Sequence, residues 1–172
     1  LLLIALICLL GAWTFQRNAV WSDNLSLWRD CVDKSPQKAR PNNNLGLVYK
    51  NAKDTDKALI AFQKSLSINP AYDEALNNVG QILYNQGDYS GALSYFQRAI
   101  EVNANRYQSY FNIGRVLFDM GEREKALRFY KKALEIHPLY EKSYNNIGFI
   151  YLKNGELEKA VGYFQRAIEI NP

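Results

Sequence analysis

A chain of 172 residues, 48% hydrophobic and 22% charged, suits one domain core or one short repeat array. Its net charge of +4 is spread over mixed signs, without the clustered Lys and Arg between aromatics that a nucleic-acid binder shows. Cys8, Cys31 and the single histidine, His137, are too few and too separated for a disulfide framework or a zinc site, so no metal and no cofactor is expected.

The first fifteen residues, LLLIALICLLGAWTF, carry no charged side chain. As a helix they rise about 22 Å, short of the roughly 30 Å of a hydrocarbon core. The run begins at the first residue, which is Leu and not Met. We therefore expect a fragment whose residues 1–16 are the C-terminal part of a transmembrane helix, with Trp13 at the interface and Arg17 in the polar zone. A signal peptide needs a basic start and a small-x-small cleavage site, and GAWTFQ offers no such site. Ile7 is a poor residue to precede a lipidated Cys8.

Residues 17–38 read as a junction with one lone helix. Trp28, Cys31 and Pro36 stand 34 residues before Phe62, Ser65 and Pro70. The segment is thus half of a repeat, placed to cover the apolar face of the first full one. Cys31 takes a small packing place and reads as core filler, not a nucleophile.

Beyond residue 38 the chain is periodic. Gly46, Gly80, Gly114 and Gly148 are each 34 residues apart. Three residues later come Tyr49, Leu83, Leu117 and Tyr151. Ala58, Ala92, Ala126 and Ala160 form another column, and Phe62, Phe96, Tyr130 and Phe164 an aromatic one. Ser65, Ala99, Ala133 and Ala167 follow, and Pro70, Pro138 and Pro172 close three repeats, with Ala104 replacing proline in the second. Over residues 39–172 this pattern resembles the tetratricopeptide-repeat (TPR) family. The resemblance implies an all-α, right-handed solenoid of antiparallel helix pairs, A and B. The repeats are 39–72, 73–106, 107–140 and 141–172, the last two residues short. Glycine on helix A and alanines on helix B allow close approach, and the aromatic fills the space between them. Gly87, Gly121 and Gly155 stand at the A–B turn, where a left-handed residue ends helix A. Lys53 occupies that place in repeat 1, at a cost of about 1 kcal/mol, so this turn is expected to differ.

In such an array the A helices line the concave side. Positions 2, 6, 9 and 13 of each repeat share one stripe. Position 6 is Asn44, Asn78, Asn112 and Asn146, and position 5 is Asn43, Asn77, Phe111 and Asn145. Asparagine is a modest helix former, so propensity does not select it. Its amide offers a donor and an acceptor to a peptide backbone. The ladder resembles that along the superhelix of O-GlcNAc transferases, which implies sequence-tolerant binding of an extended segment. With these asparagines, Gln81 and Arg115 at position 9 complete the candidate groove. The alternative is that these amides bond between neighbouring helices. No Lys occupies position 5, and Arg40, Arg115, Lys142 and Lys153 are spread out, so a carboxylate clamp is not expected.

No phosphate-loop, HExxH or GxSxG pattern is present, and no catalytic residue is expected in this fragment. A second resemblance rests on Arg17, Asn18, Trp21, Leu27, Trp28, Pro36, Ala39, Asn43, Asn44, Leu45 and Gly46. This stretch is similar to the C-terminal junction of transmembrane, TPR-containing O-mannosyltransferases and their bacterial relatives. That implies a bacterial inner-membrane protein with periplasmic repeats and a GT-C type catalytic core upstream. The expectations are therefore a membrane-tethered module for an extended polypeptide, or the acceptor-recruiting tail of a membrane glycosyltransferase, or a simple anchored scaffold.

Overall fold

The structure, a computed structural model, describes residues 23–172 together with Leu10 and Thr14. Apart from Leu10 and Thr14, the expected membrane segment 1–16 and the junction residues 17–22 lie outside the described residues. Among the described residues, no helix is long and apolar enough to cross a membrane.

All the described secondary structure is helical. We number the helices α1 (Asn24–Lys34), α2 (Ala39–Asn51), α3 (Thr55–Ile68), α4 (Asp73–Asn85), α5 (Tyr89–Val102), α6 (Tyr107–Asp119), α7 (Arg123–Ile136), α8 (Glu141–Lys153) and α9 (Leu157–Ile170). The A helices α2, α4, α6 and α8 start at 39, 73, 107 and 141, which are the repeat starts read from the sequence. The chain divides into two compact units, one ending at Pro70 and one starting at Ala71.

In the first unit α1 packs on α2, and α2 pairs with α3. Asp23 caps α1: its carboxylate accepts from the Leu25 and Ser26 amides at 2.8 and 2.9 Å, which satisfies two orphan donors. Cys31 is a half-buried thiol in that helix. Ser65 Oγ, at 2.9 Å, donates to the Ala39 carbonyl and ties the end of α3 to the start of α2.

The second unit holds the pairs α4–α5, α6–α7 and α8–α9, with α5 packed on α6 and α7 on α8. Its core combines Phe96, Ile113, Val116, Tyr130, Ile147 and Ile150 with the helix B alanines. Each pair is set by one contact. A Cβ built on Gly114 would lie 2.7 Å from the Tyr130 ring, and the same clash recurs for Gly80 with Phe96 and Gly148 with Phe164. The bare glycine backbone is where the aromatic ring lies.

The A–B turn has one form in both units. Gly87, Gly121 and Gly155 have φ near +80°, and Lys53 adopts +61°. The residue after each donates back across the turn, as from Asp54 to the Tyr49 carbonyl (2.9 Å) and from Glu122 to that of Leu117 (2.8 Å). This is the Schellman arrangement. The expected difference at Lys53 is therefore corrected: the lysine takes the strained conformation, because the six-to-one bond and the packing of both helices fix it.

Repeat 2 lacks the closing proline, and a partly buried ion pair holds its loop. Arg106 Nε lies 2.6 Å from Asp73 Oδ2, and Asn103 Nδ2 donates to the same oxygen at 2.7 Å. Burial disfavours the Asp73 carboxylate, but the bonds from Arg106 and Asn103 outweigh it and hold its carboxyl below the usual range. A depressed pKa stabilises the fold above the unfolded value near 3.9, and that contribution disappears as pH falls through the folded value. Unfolding followed between neutral and strongly acid pH is expected to show a steeper acid loss in the wild type than in Asp73→Asn.

Two glycine substitutions separate the roles of the column and the turn. Gly121→Ala meets no atom within 4 Å, so its cost is backbone strain alone, about 1 kcal/mol. Gly114→Ala forces the Tyr130 ring aside and costs more, about 1–3 kcal/mol. Lys53→Gly is expected to stabilise by a few tenths to about 1 kcal/mol. Chemical denaturation of the three variants checks this order.

Candidate functional site

The asparagine columns divide into two kinds of site. Asn77, on α4, is 5% exposed and Asn112, on α6, 4%. Asn112 Nδ2 donates to Asn77 Oδ1 at 3.0 Å, and Ser109 Oγ, fully buried, donates to the same oxygen at 3.2 Å. One carbonyl thus joins two helices and satisfies two buried donors. Here the amides act as bonds between repeats.

The next interface lacks this bond. Phe111 replaces the acceptor that Asn77 supplies. Its ring meets the Tyr140 ring edge-on at 5.0 Å and Tyr130 at 5.6 Å. Ser143, the counterpart of Ser109, is fully buried, and its hydroxyl has no partner among the described residues. Asn146, the counterpart of Asn112, lines a cleft together with Tyr130 instead. Unlike Asn112 it is not buried.

Asn146 faces a cleft of about 260 Å³ on the A-helix side of the third and fourth repeats. Arg115 and Asp119 from α6 and Tyr84 from α4 line one wall. Phe118, Phe149 and the almost fully buried Tyr130 complete it. The Arg115 guanidinium carbon stands 4.4 Å from the centre of the Tyr84 ring, a cation–π stack that fixes the group in place. The Tyr84 hydroxyl donates to Asp119 Oδ2 at 2.5 Å. Phe149 is 50% exposed and forms an open apolar edge.

Burial pushes the Tyr84 phenol up, and its bond to Asp119 adds to the shift. Burial raises the Tyr130 phenol far above its ordinary value, against the opposing bond from Asn146. Both phenols keep their protons at neutral pH, and the Asn146 amide offers a donor and an acceptor together. Arg115 and Asp119 balance each other, and the cleft carries no net charge.

Of the expected groove residues, Arg115 and Asn146 come together in this cleft. Asn78 is 8% exposed, and Gln81 and Asn145 are not among the lining side chains. Asn43 is fully buried in the first unit, with its Nδ2 3.4 Å from the Oδ1 of half-buried Asn44. Sequence reasoning missed Tyr84, Phe118 and Tyr130. Tyr130 was legible as the one hydroxyl in a column otherwise made of Phe62, Phe96 and Phe164. Tyr84 and Phe118 share position 12, which lies beside the stripe chosen from helical spacing.

Fold and cleft define a helical-hairpin repeat protein with a lined A-helix face. The Tetratricopeptide repeat models match residues 39–105, 71–139 and 141–172, and the chain belongs to that family. No curated protein matches it. Among solved structures, a crystal structure of MamA is similar at 26% identity and a TM-score of 0.72, over 85% of each chain. PilF of Pseudomonas aeruginosa is similar at 21% identity and a TM-score of 0.79, over 95% of this chain and 74% of that one. A MamA from Desulfovibrio magneticus RS-1, 18% identical, superimposes with a TM-score of 0.69, over 87% of this chain and 96% of that one. As TPR proteins are generally non-enzymatic scaffolds, protein–protein interaction is the function class of this module.

The two kinds of site respond differently to substitution. Asn77→Ala strands the buried Ser109 hydroxyl and Asn112 amide and is expected to cost about 1–3 kcal/mol. Tyr130→Phe keeps the ring on Gly114 and leaves Asn146 to water, so stability stays within about 1 kcal/mol of wild type. Urea unfolding of both variants distinguishes them.

Proposed function

We propose that the chain is a membrane-tethered interaction module whose A-helix face holds an extended polypeptide. The observation that carries this is the neutral cleft in which Arg115, Asn146 and the Tyr130 hydroxyl offer donors and an acceptor beside exposed Phe149. An extended backbone needs both kinds of group at once. No nucleic-acid or catalytic role is assigned to the module. Tethering rests on the uncharged leader, and residues 1–16 are its anchor.

A second reading is favoured by the junction residues Trp21, Trp28 and Pro36. In it the repeats recruit protein acceptors for a membrane glycosyltransferase core upstream, and they lie in the periplasm of a bacterium.

A combinatorial peptide library displayed against the full 172-residue chain is expected to yield binders of about micromolar affinity. Combining Arg115→Ala with Asn146→Ala is expected to weaken them about tenfold or more. Binders indifferent to this pair of substitutions overturn the site. An alkaline-phosphatase fusion after the repeats reports sidedness: activity fits the periplasmic reading, and an inactive, stably produced fusion overturns it.

A further inference from the structure

The cleft has a particular origin, and this gives it a particular ligand. Between α4 and α6 the position 6 amide is consumed by the position 5 amide of the preceding repeat. Between α6 and α8 the position 5 residue is Phe111, which accepts no hydrogen bond. Asn146 is only partly buried and lines the cleft beside Tyr130. The stranded Ser143 hydroxyl marks the lost network. A single exchange in the repeat pattern thus turns a bond between repeats into a recognition group.

Three features limit what fits. The volume of about 260 Å³ lies below the roughly 300–1,000 Å³ of sites for whole small molecules. It matches one large side chain with its peptide unit. The apolar surface comes from Phe118 and the open edge of Phe149. The charges cancel, since Arg115 is stacked on Tyr84, whose hydroxyl engages Asp119. Neither an acidic nor a basic anchor gains a net Coulomb attraction.

Building on the peptide reading above, we infer that the cleft between the third and fourth repeats is an anchor pocket for one large apolar side chain of an extended peptide. That side chain packs on Phe118 and Phe149. Its own main-chain carbonyl receives Arg115 or the Tyr130 hydroxyl, and its N–H donates to the Asn146 carbonyl. The pocket fixes the register of a segment that the rest of the A-helix face holds without regard to sequence.

The test uses the full chain, kept in solution with an amphipol, and five acetylated and amidated peptides Ala-Ala-X-Ala-Ala. X is Phe, Leu, Ala, Glu or Lys. Binding is read from NMR shifts of the Asn146 and Arg115 side chains. The Phe and Leu peptides are expected to bind about tenfold or more tighter than the Ala peptide. Raising salt from about 0.05 to about 0.5 M is expected to change their affinity less than about twofold, because screening has no net charge to act on. Phe149→Ala is expected to remove the preference for Phe and Leu while the melting temperature holds, since that ring is half exposed.

A Glu or Lys peptide that binds best and weakens with salt overturns the apolar anchor. Shifts confined to other helices, or none from the five peptides while library binders persist, overturn the pocket and leave the peptide reading intact. If the library too yields no binder, the peptide reading itself falls, and the anchor with it.

Discussion

The architecture depends on the contact between a glycine on helix A and an aromatic ring on helix B. In all four repeats a Cβ at the glycine would come within 2.6–2.8 Å of that ring. No atom fits between backbone and ring, so the helix pair closes to a distance that only glycine permits. The interior then has native density, where even one added carbon is felt. A three-residue turn with one left-handed residue is the connection that brings the two helices back at that separation. Because the contact and the turn recur together, the helix pair has the same internal geometry in each repeat. Lys53 shows how firmly this is imposed, since the turn keeps its form even where a lysine must adopt φ of +61°.

A fixed frame lets the polar positions vary in what they do. Position 6 is asparagine throughout, but its environment is set one repeat earlier. Where position 5 offers a carbonyl, as at Asn77, the amide at 112 is buried and bonded. Where position 5 is Phe111, the amide at 146 is only partly buried and lines the cleft with Tyr130. The aromatic contacts of Phe111 with Tyr130 and Tyr140 take the place of the lost hydrogen bonds in holding the interface. Burial pushes the Tyr140 phenol up to about 12, and the neighbouring Tyr107 adds to the shift.

The frame was legible in the sequence and the site only partly so. Period, helix starts and the glycine–aromatic pairing follow from spacing, because spacing decides which residues share a face. Helical spacing also placed Arg115 and Asn146 on the lined side. It could not tell Asn112 from Asn146, because the difference lies in a partner 35 residues away and not in the residue itself. Tyr130 stood out only as the one hydroxyl in its column: its ring is buried like the phenylalanines there, and spacing alone does not place it at a cleft. The lysine turn was misjudged for a related reason. Local preference counts about 1 kcal/mol there, while the packing of two helices and a six-to-one bond counts for more.

Repeat proteins allow such local specialisation because each repeat meets only its neighbours. Exchanging the acceptor at position 5 disturbs one interface and leaves the others unchanged. The cost is confined to the stranded hydroxyl of Ser143, a buried group worth about 1–3 kcal/mol when unsatisfied. In a domain with one indivisible core, a similar loss would be felt by every element. Here the aromatic cluster absorbs it at the same interface, and the adjoining helices need no change. The residues that make the cleft distinctive, Phe111 and Tyr130, are thus also the residues that restore the packing which the exchange removed.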